Sequence, residues 1–204
     1  TDNNMYLFFE RGIRGGISCC SKRYAKANNE LVEGYDKTKE KSYIVYLDAC
    51  NLYGHAMAEN KLPTSGFKWL TEEDIKAKFY PIENILSLDD EAEIGYYFEV
   101  DIAEVSQHLH DFLADYPLAP TLESIQPEWL SSYQQELVGD ARGIFGRKLV
   151  PNFMKKERYV VHYRNLKFYM EMGLQVTKIH RVIQFFQSYW MSSYIRKNSS
   201  LRAK

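Results

Sequence analysis

One carboxylate in the chain stands out because of the residues on either side of it. Asp48 directly follows the apolar run Tyr-Ile-Val-Tyr-Leu at 43–47 and precedes the small residue Ala49. A continuous apolar run predicts a strand over 43–48 with both faces covered. A carboxylate buried there needs a cation or several hydrogen bonds, because burying it unpaired is costly. Mg²⁺ is a suitable partner, and the backbone carbonyl of Ala49 offers it a further oxygen ligand.

A structural role is the alternative for Asp48. An apolar run that ends in a single Asp, taken alone, favours a capping or salt-bridged carboxylate. The following residues predict a short helix over 51–60, with Asn51 as its N-cap and the dipeptide Leu62-Pro63 beyond its end. The sequence therefore predicts an acid at the end of a strand, followed by a tight turn into a helix.

Other residues that could do chemistry form weaker patterns. His108 and His110 would share one face of a strand, but no nearby Cys or His completes a metal set, so they favour a surface or structural role. Asp101 ends a predicted strand, yet its acidic neighbours Glu99 and Glu104 indicate an exposed edge. The sequence contains no P-loop, no G-x-G-x-x-G and no Ser-His-Asp arrangement.

The composition is that of an ordinary globular protein. The 204 residues are 45% hydrophobic and 26% charged, and the net charge of −1 gives no global basic field that would indicate nucleic acid. Basic residues collect in roughly the last 60 positions and acidic ones in 71–140, which permits one nucleic-acid-facing part. Three cysteines form no disulfide framework and are typical of a reducing compartment. No apolar run reaches membrane-spanning length.

Local patterns predict several further elements. Thr71, with Asp74 three residues later, resembles a capping box and predicts a helix over 72–79. Gly173 is a good residue to follow a helix over 161–172. The other predictions are a strand over 94–102, irregular structure over 107–140, a strand or strand pair within 174–187 and a basic helix towards residue 204.

The segment D-A-C-N-L-Y-G-H-A-M at 48–57 resembles motif A of family B DNA polymerases, usually written D-x-x-S-L-Y-P. Asp48, Leu52 and Tyr53 match that pattern. Asn51 takes the Ser position and Gly54 takes the Pro position, and both residue types keep a tight turn possible.

The flanking segments carry the same resemblance. The upstream segment R-G-I-R-G-G-I-S is similar to the YxGG segment that joins the exonuclease and polymerase modules; Arg14, Gly15 and Gly16 match, whereas Ile13 replaces the Tyr. Residues 173–202 are similar to the segment that leads to the fingers of protein-primed members. By this resemblance the chain is identified as a member of the protein-primed polymerases of Maverick/Polinton elements, linear plasmids and related viruses.

The resemblance implies an α+β fold. It would contain a partial polymerase palm with a central antiparallel sheet, an inserted subdomain of the kind that contacts the terminal protein, and the start of the fingers. The implied segments are an exonuclease–polymerase connection at 1–41, the palm strand and motif A at 42–61, the insertion at 62–172, and the return to the palm with the start of the fingers at 173–204.

The resemblance also implies the chemistry, which is template-directed, Mg²⁺-dependent addition of dNTPs to a primer. Asp48 would bridge two Mg²⁺ ions, and the carbonyl of Ala49 would bind the nucleotide metal. Tyr53 would lie under the incoming sugar and leave no space for a 2′-OH. Backbone N–H groups near the triphosphate would come from Cys50, Asn51 and Leu52.

Basic residues near the C-terminus are implied to contact the triphosphate. Arg202 is the first choice among Arg196, Lys197 and Arg202, and the alternative is a solvated basic helix face. The resemblance implies DNA contacts at Arg14, Gly15 and Gly16. The implied partners are a DNA template-primer, dNTPs and a terminal protein, with no membrane.

Parts of such an enzyme are expected outside these residues. Motif B, K-x-x-x-N-S-x-Y-G, and motif C, a D-T-D strand, would follow residue 204, and the exonuclease acids would precede residue 1. We therefore expect the 204 residues not to polymerise alone. Two other hypotheses stay open: a degenerate, element-derived module that binds DNA or a partner without catalysis, and another Mg²⁺-dependent phosphoryl-transfer enzyme. A eukaryotic element would imply the nucleus, and a linear plasmid the cytoplasm or mitochondrion.

Overall fold

The computed structural model describes residues 2–18, 22, 24–116, 118–139 and 146–202, and it combines helices with strands. The helices are α1 (Asn3–Gly12), α2 (Leu52–Glu59), α3 (Glu72–Phe79), α4 (His110–Leu113), α5 (Ser132–Val138), α6 (Tyr163–Glu171) and α7 (Ser192–Arg202). The strands are β1 (Leu62–Trp69), β2 (Ile94–Ile102), β3 (Thr121–Ser124), β4 (Arg147–Val150), β5 (Lys156–His162) and β6 (Val176–Ser188). The predicted α+β class is confirmed.

Four of these strands form one curled antiparallel sheet in the order β1-β6-β2-β5. The central strand β2 pairs with β6 along its whole length and with β5 on its other side. The predicted strand over 94–102 is therefore confirmed. The predicted exposed edge is wrong, because β2 has a neighbour on each side and its Glu99 is fully buried.

The two faces of the sheet are covered by different elements. On one face Phe98, Val100 and Ile102 of β2 join the larger core, to which α3 and α6 contribute. On the other face Phe8 of α1 packs against β5 and β6, and its ring meets that of Trp69 edge-on at 4.9 Å. Successive residues of a strand point to opposite faces, so Glu99 points towards the side that α1 covers.

Two local predictions about helices are confirmed. Helix α3 begins with a capping box, in which Thr71 Oγ1 accepts from the Asp74 N–H at 3.1 Å and the Asp74 carboxylate accepts from the Thr71 N–H at 3.3 Å. Helix α6 is followed by Gly173 at a φ of 97°, a conformation in which glycine carries no Cβ penalty.

The predicted strand over 43–48 is wrong. Its apolar residues are exposed, Tyr46 at 92% and Leu47 at 86%, and no described strand pairs with them. A strand needs a neighbour for its backbone N–H and C=O groups, so β-forming residues alone do not make one. Asp48 is consequently exposed rather than buried at the end of a strand.

The segment 107–140 was predicted to be irregular, and this is wrong in part. It contains α4, α5 and β3, and β3 pairs with β4 in a second, two-stranded sheet. The start of α5 is a capping box formed by Ser131 and Gln134, a pattern that is visible in the sequence. Cys19, Cys20 and Pro117 lie outside the described residues.

The chain divides into two compact units. The first comprises residues 1–17 and 63–188 and contains both sheets. The second comprises 18–62 and 189–204 and contains α2, α7 and an irregular loop region. In the described part of the chain, no helix is long and apolar enough to cross a membrane.

Candidate functional site

The motif A residues lie in the second unit, around the start of α2. The chain reverses at Asn51, which has left-handed backbone angles of φ 55° and ψ 42°, a conformation that Asn tolerates better than most residues. Helix α2 begins at the next residue, and the N–H of His55 donates to the Asn51 carbonyl at 2.9 Å. The predicted helix over 51–60 is confirmed with Asn51 at the N-cap position, but the Asn51 side chain forms no capping hydrogen bond.

The side chain of Asn51 instead lies against Gly54. A Cβ at residue 54 would stand 2.3 Å from Asn51 Nδ2 and 2.5 Å from Asn51 Oδ1, closer than real Cβ atoms approach such atoms. Asn51 is exposed and its side chain forms no capping hydrogen bond, so a Cβ at residue 54 would push this side chain aside. The two positions at which the motif departs from D-x-x-S-L-Y-P are therefore sterically matched to each other.

This match predicts a coupled effect of two substitutions on stability. Gly54→Ala alone is expected to change stability by less than about 0.5 kcal/mol, because displacement of the Asn51 side chain offsets the gain of about 1 kcal/mol that Ala ordinarily gives over Gly in a helix. In an Asn51→Gly background the clash is absent and the left-handed turn is kept, so Gly54→Ala should become stabilising. Urea denaturation of the four proteins in this cycle should give a coupling energy of about 1 kcal/mol. Additive effects, within about 0.5 kcal/mol, would contradict the contact.

An ion pair joins α2 to α7. Arg196 Nη2 donates to both carboxylate oxygens of Glu59, at 2.8 and 3.1 Å. Both side chains are largely exposed, so the pair contributes about 0–1 kcal/mol to stability. Arg196 was expected to contact a triphosphate, and the structure shows its guanidinium engaged by Glu59.

A groove of about 630 Å³ runs between the turn and α7. The turn side is formed by Cys50, Asn51, Gly54 and Met57, and the α7 side by Ile195, Asn198, Ser199 and Arg202. The four α7 residues recur at helical spacing, which places them on one face of the helix. The sequence predicted Cys50, Asn51 and Arg202 as site residues but not the other five groove residues. The helical spacing of Ile195, Asn198 and Ser199 relative to Arg202 could have identified the three on α7.

The groove carries one positive charge, that of Arg202, and it lies beside the start of α2. Its volume lies within the range of small-molecule sites, about 300–1,000 Å³. Lys197 is exposed on α7 and is not among the groove residues.

The remaining motif A residues lie on the exposed surface beside the turn. Asp48 and Ala49 are exposed on the irregular segment before it, and Leu52 and Tyr53 are exposed on the first turn of α2, with Tyr53 at 78%. Within the described ranges, no group of three or more His, Cys, Asp or Glu side chains is arranged to hold a metal ion. Asp48 is thus an accessible oxygen donor that belongs to no such group among the described residues.

The residues of the YxGG-like segment lie in the first unit. The Arg14 guanidinium lies 3.8 Å from the centre of the Tyr159 ring, and its Nη1 donates to the Val160 carbonyl at 2.7 Å. Gly15 and Gly16 are exposed, and a Cβ at either would meet no atom within 4 Å. The backbone at the two glycines is therefore open to a ligand, while Arg14 is fixed in place beside it.

Comparison with protein-family models, curated proteins and solved structures finds no match to this chain. The resemblance to family B DNA polymerases therefore stays a prediction from the sequence.

Proposed function

We propose that this chain is the motif A-bearing part of a protein-primed family B DNA polymerase, acting in Mg²⁺-dependent addition of dNTPs to a primer. The observation that carries the proposal is the groove of the second unit. Cys50 and Asn51 of the motif A segment and Arg202 of the C-terminal basic segment were expected to contact the triphosphate, and they line this one groove from opposite sides.

The oxygen atoms of Asp48 and Ala49, just before the turn, would supply part of the ligand set of a Mg²⁺ ion. Mg²⁺ takes oxygen ligands and is commonly held by one or two protein carboxylates together with phosphates and water. The Asp48 carboxylate and the Ala49 carbonyl are both exposed oxygen donors on consecutive residues. When bound, the ions lower the pKa of the primer hydroxyl and neutralise charge on the triphosphate. A second acid is expected from motif C, beyond residue 204.

The chain's own residues would bind and orient the nucleotide. Arg202 would donate to phosphate oxygens, for which the planar guanidinium is well suited. The N–H groups of Cys50, Asn51 and Leu52 would face the same phosphates at the positive end of α2. The left-handed backbone angles of Asn51 form the turn that would present these groups. Tyr53 would lie against the sugar on the first turn of the helix.

The exposed apolar run before Asp48 also supports the proposal. Five consecutive apolar residues, Tyr43 to Leu47, are exposed and outside regular secondary structure, an arrangement that is costly unless another element covers them. In the proposed palm, the motif C strand would lie in the same sheet as this run. Residues 62–172 would form the insertion that contacts the terminal protein.

The proposal predicts a change in sugar discrimination at Tyr53. In the full-length product of the reading frame that encodes this chain, Tyr53→Val should raise ribonucleotide incorporation relative to deoxyribonucleotide incorporation by about 100-fold, because the ring that excludes the 2′-OH is gone. Single-nucleotide incorporation kinetics with dNTP and rNTP measure the ratio. Tyr53→Phe is the matched control and should discriminate like the wild type. Unchanged discrimination in Tyr53→Val would remove Tyr53 from the sugar site.

The reading frame downstream of residue 204 separates the proposal from its main alternative. An N-S-x-Y-G motif followed by a D-T-D motif would support a polymerase. A frame interrupted before either motif would instead favour a degenerate module that binds DNA or a partner without catalysis.

A further inference from the structure

A single buried carboxylate in the first unit is surrounded by three arginines. Glu99 of β2 is fully buried and accepts hydrogen bonds from Arg181 Nε at 2.7 Å and from Arg181 Nη2 at 3.0 Å. Arg11 Nη1 donates to Glu99 Oε1 at 3.0 Å, and Arg158 Nη1 approaches Glu99 Oε2 at 3.4 Å. One negative charge is thus shared among three positive ones.

Arg181 makes the strongest of the three contacts with Glu99. Its two nitrogens meet the two carboxylate oxygens in the paired geometry that makes Arg–carboxylate contacts strong. Its guanidinium also lies 5.1 Å from the ring centres of Phe8 and Trp69, which hold it in place. Arg11 and Arg158 are therefore surplus positive charges, and their side chains are 49% and 61% exposed.

The backbone holds Arg158 in a position that a regular strand would not give it. Its φ of 49° is in the left-handed region, which is unfavourable for Arg, and its N–H donates to Asp101 Oδ1 at 2.8 Å. The pairing of β2 with β5 shifts register between Val100 and Ile102, as at a β-bulge. Bulges and strained residues of this kind re-aim side chains and collect at functional sites.

The surplus arginines open onto a cleft of about 620 Å³. Arg11 and Arg158 line it together with Arg14 and Arg147, and the exposed backbone of Gly15 is at its surface. Three acids also line it, Glu10, Glu123 and Glu157. Glu157 is paired with Lys155 at 2.7 Å, so its charge is offset locally. Positive charge therefore predominates in the cleft.

We infer that this arginine cleft, formed by Arg11, Arg14, Arg147 and Arg158, binds the phosphodiester backbone of a nucleic-acid strand. Guanidinium groups match phosphate oxygens in geometry, remain charged at every relevant pH and lose little hydration on binding. Several of them along one cleft suit a chain of phosphates better than a single anion. The inference rests on the proposed function only for the choice of nucleic acid as the polyanion; the charges and the cleft belong to the first unit alone.

The test is equilibrium binding of a fluorescein-labelled oligothymidylate to the 204-residue chain, followed by fluorescence anisotropy at several salt concentrations. Arg158→Asn removes the charge and keeps a residue that tolerates the left-handed backbone. Arg147→Gln removes a charge from an exposed hairpin residue outside the Glu99 cluster. Each should weaken binding about tenfold and flatten the slope of log K against log salt by about 0.7. Lys76→Gln on α3, away from the cleft lining, should bind within about twofold of the wild type.

Wild-type affinity in both arginine variants, with unchanged circular dichroism, would overturn the inference, and Arg147→Gln decides alone if Arg158→Asn fails to fold. Equal competition by a polyglutamate peptide of matched charge would also overturn it, since the cleft would then be a general anion site. The measurement needs no nucleotide incorporation. The chain could bind the oligonucleotide through these arginines and yet belong to no polymerase. That result would contradict the proposed function but support the inference about the arginine cleft.

Discussion

Replacing Asp48 by Asn is expected to lower primer extension by at least about 10³-fold in the full-length gene product. Asn has nearly the same shape as Asp but lacks the negative charge, so it is a poor ligand for Mg²⁺. Asp48 is exposed, so the substitution should leave the stability of the chain almost unchanged. DNA binding should stay within about twofold of the wild type, because the substitution leaves the arginine cleft, the proposed nucleic-acid site, unchanged.

Asp111→Asn is a matched control for this prediction. Asp111 is an exposed carboxylate on α4, and it belongs neither to motif A, nor to the groove of the second unit, nor to the arginine cleft. Its replacement should leave primer extension and DNA binding unchanged. If Asp48→Asn retained more than about a tenth of the wild-type extension rate, Asp48 would not be the metal-binding acid.

Replacing Glu99 by Gln is expected to lower the free energy of unfolding by about 1–3 kcal/mol. The neutral amide would leave three guanidiniums close together around a fully buried side chain, with no negative charge between them. The arginine side chains are 42–61% exposed, so water screens part of their repulsion and the cost stays below that of a fully buried, uncompensated charge. Urea denaturation of the wild type and the variant measures the difference. Glu83→Gln, an exposed acid in the same unit, should change stability by less than about 0.5 kcal/mol.

The contribution of Glu99 should also depend on pH. Burial alone would raise the pKa of Glu99, but the hydrogen bonds and charges of Arg181 and Arg11 outweigh it and hold the pKa below its ordinary value of 4.5. A carboxylate with a depressed pKa stabilises the fold above the unfolded-state pKa, and this stabilisation is lost as the pH falls through the folded-state pKa. The stability difference between wild type and Glu99→Gln should therefore be constant near neutral pH and shrink in acid below about pH 4.5. A difference below about 1 kcal/mol at pH 7, or one that does not change in acid, would contradict the role given to Glu99.

Elements fixed by local chemistry were predictable from the sequence. Helix α3 needs only Thr71 and Asp74 to start it, and both lie within four residues of each other. Gly173 follows α6 because its backbone angle favours glycine. In both cases the decisive interactions join residues that are close in sequence. Strand β2 was predicted from its run of large apolar and aromatic residues, although it also needs β5 and β6 as neighbours.

Features that depend on distant residues were not predictable. The acid Glu99 looks like a surface residue in its acidic neighbourhood, and only the arrival of Arg11, Arg158 and Arg181 from three other elements makes its burial possible. The run 43–47 looks like a buried strand, and it is exposed because no described strand lies beside it. A hydrophobic pattern indicates what a segment can bury but not whether the neighbour is there.

The candidate site was predictable only where it depends on residues that are close in sequence. The motif around Asp48 identified the turn and its residue types, and α7 was expected to be a basic helix. The steric match of Asn51 with Gly54 could not be anticipated, because it depends on the left-handed backbone angle of Asn51. The ion pair of Arg196 with Glu59 likewise depends on how α2 packs against α7.

The most direct test of the polymerase proposal is primer extension by the full-length, unmodified gene product on a primed DNA template with Mg²⁺ and one dNTP at a time. The proposal predicts that only the dNTP complementary to the template base is added and that chelation of Mg²⁺ stops the reaction. A protein that binds the primed template but adds no nucleotide, or adds nucleotides regardless of the template base, would contradict it.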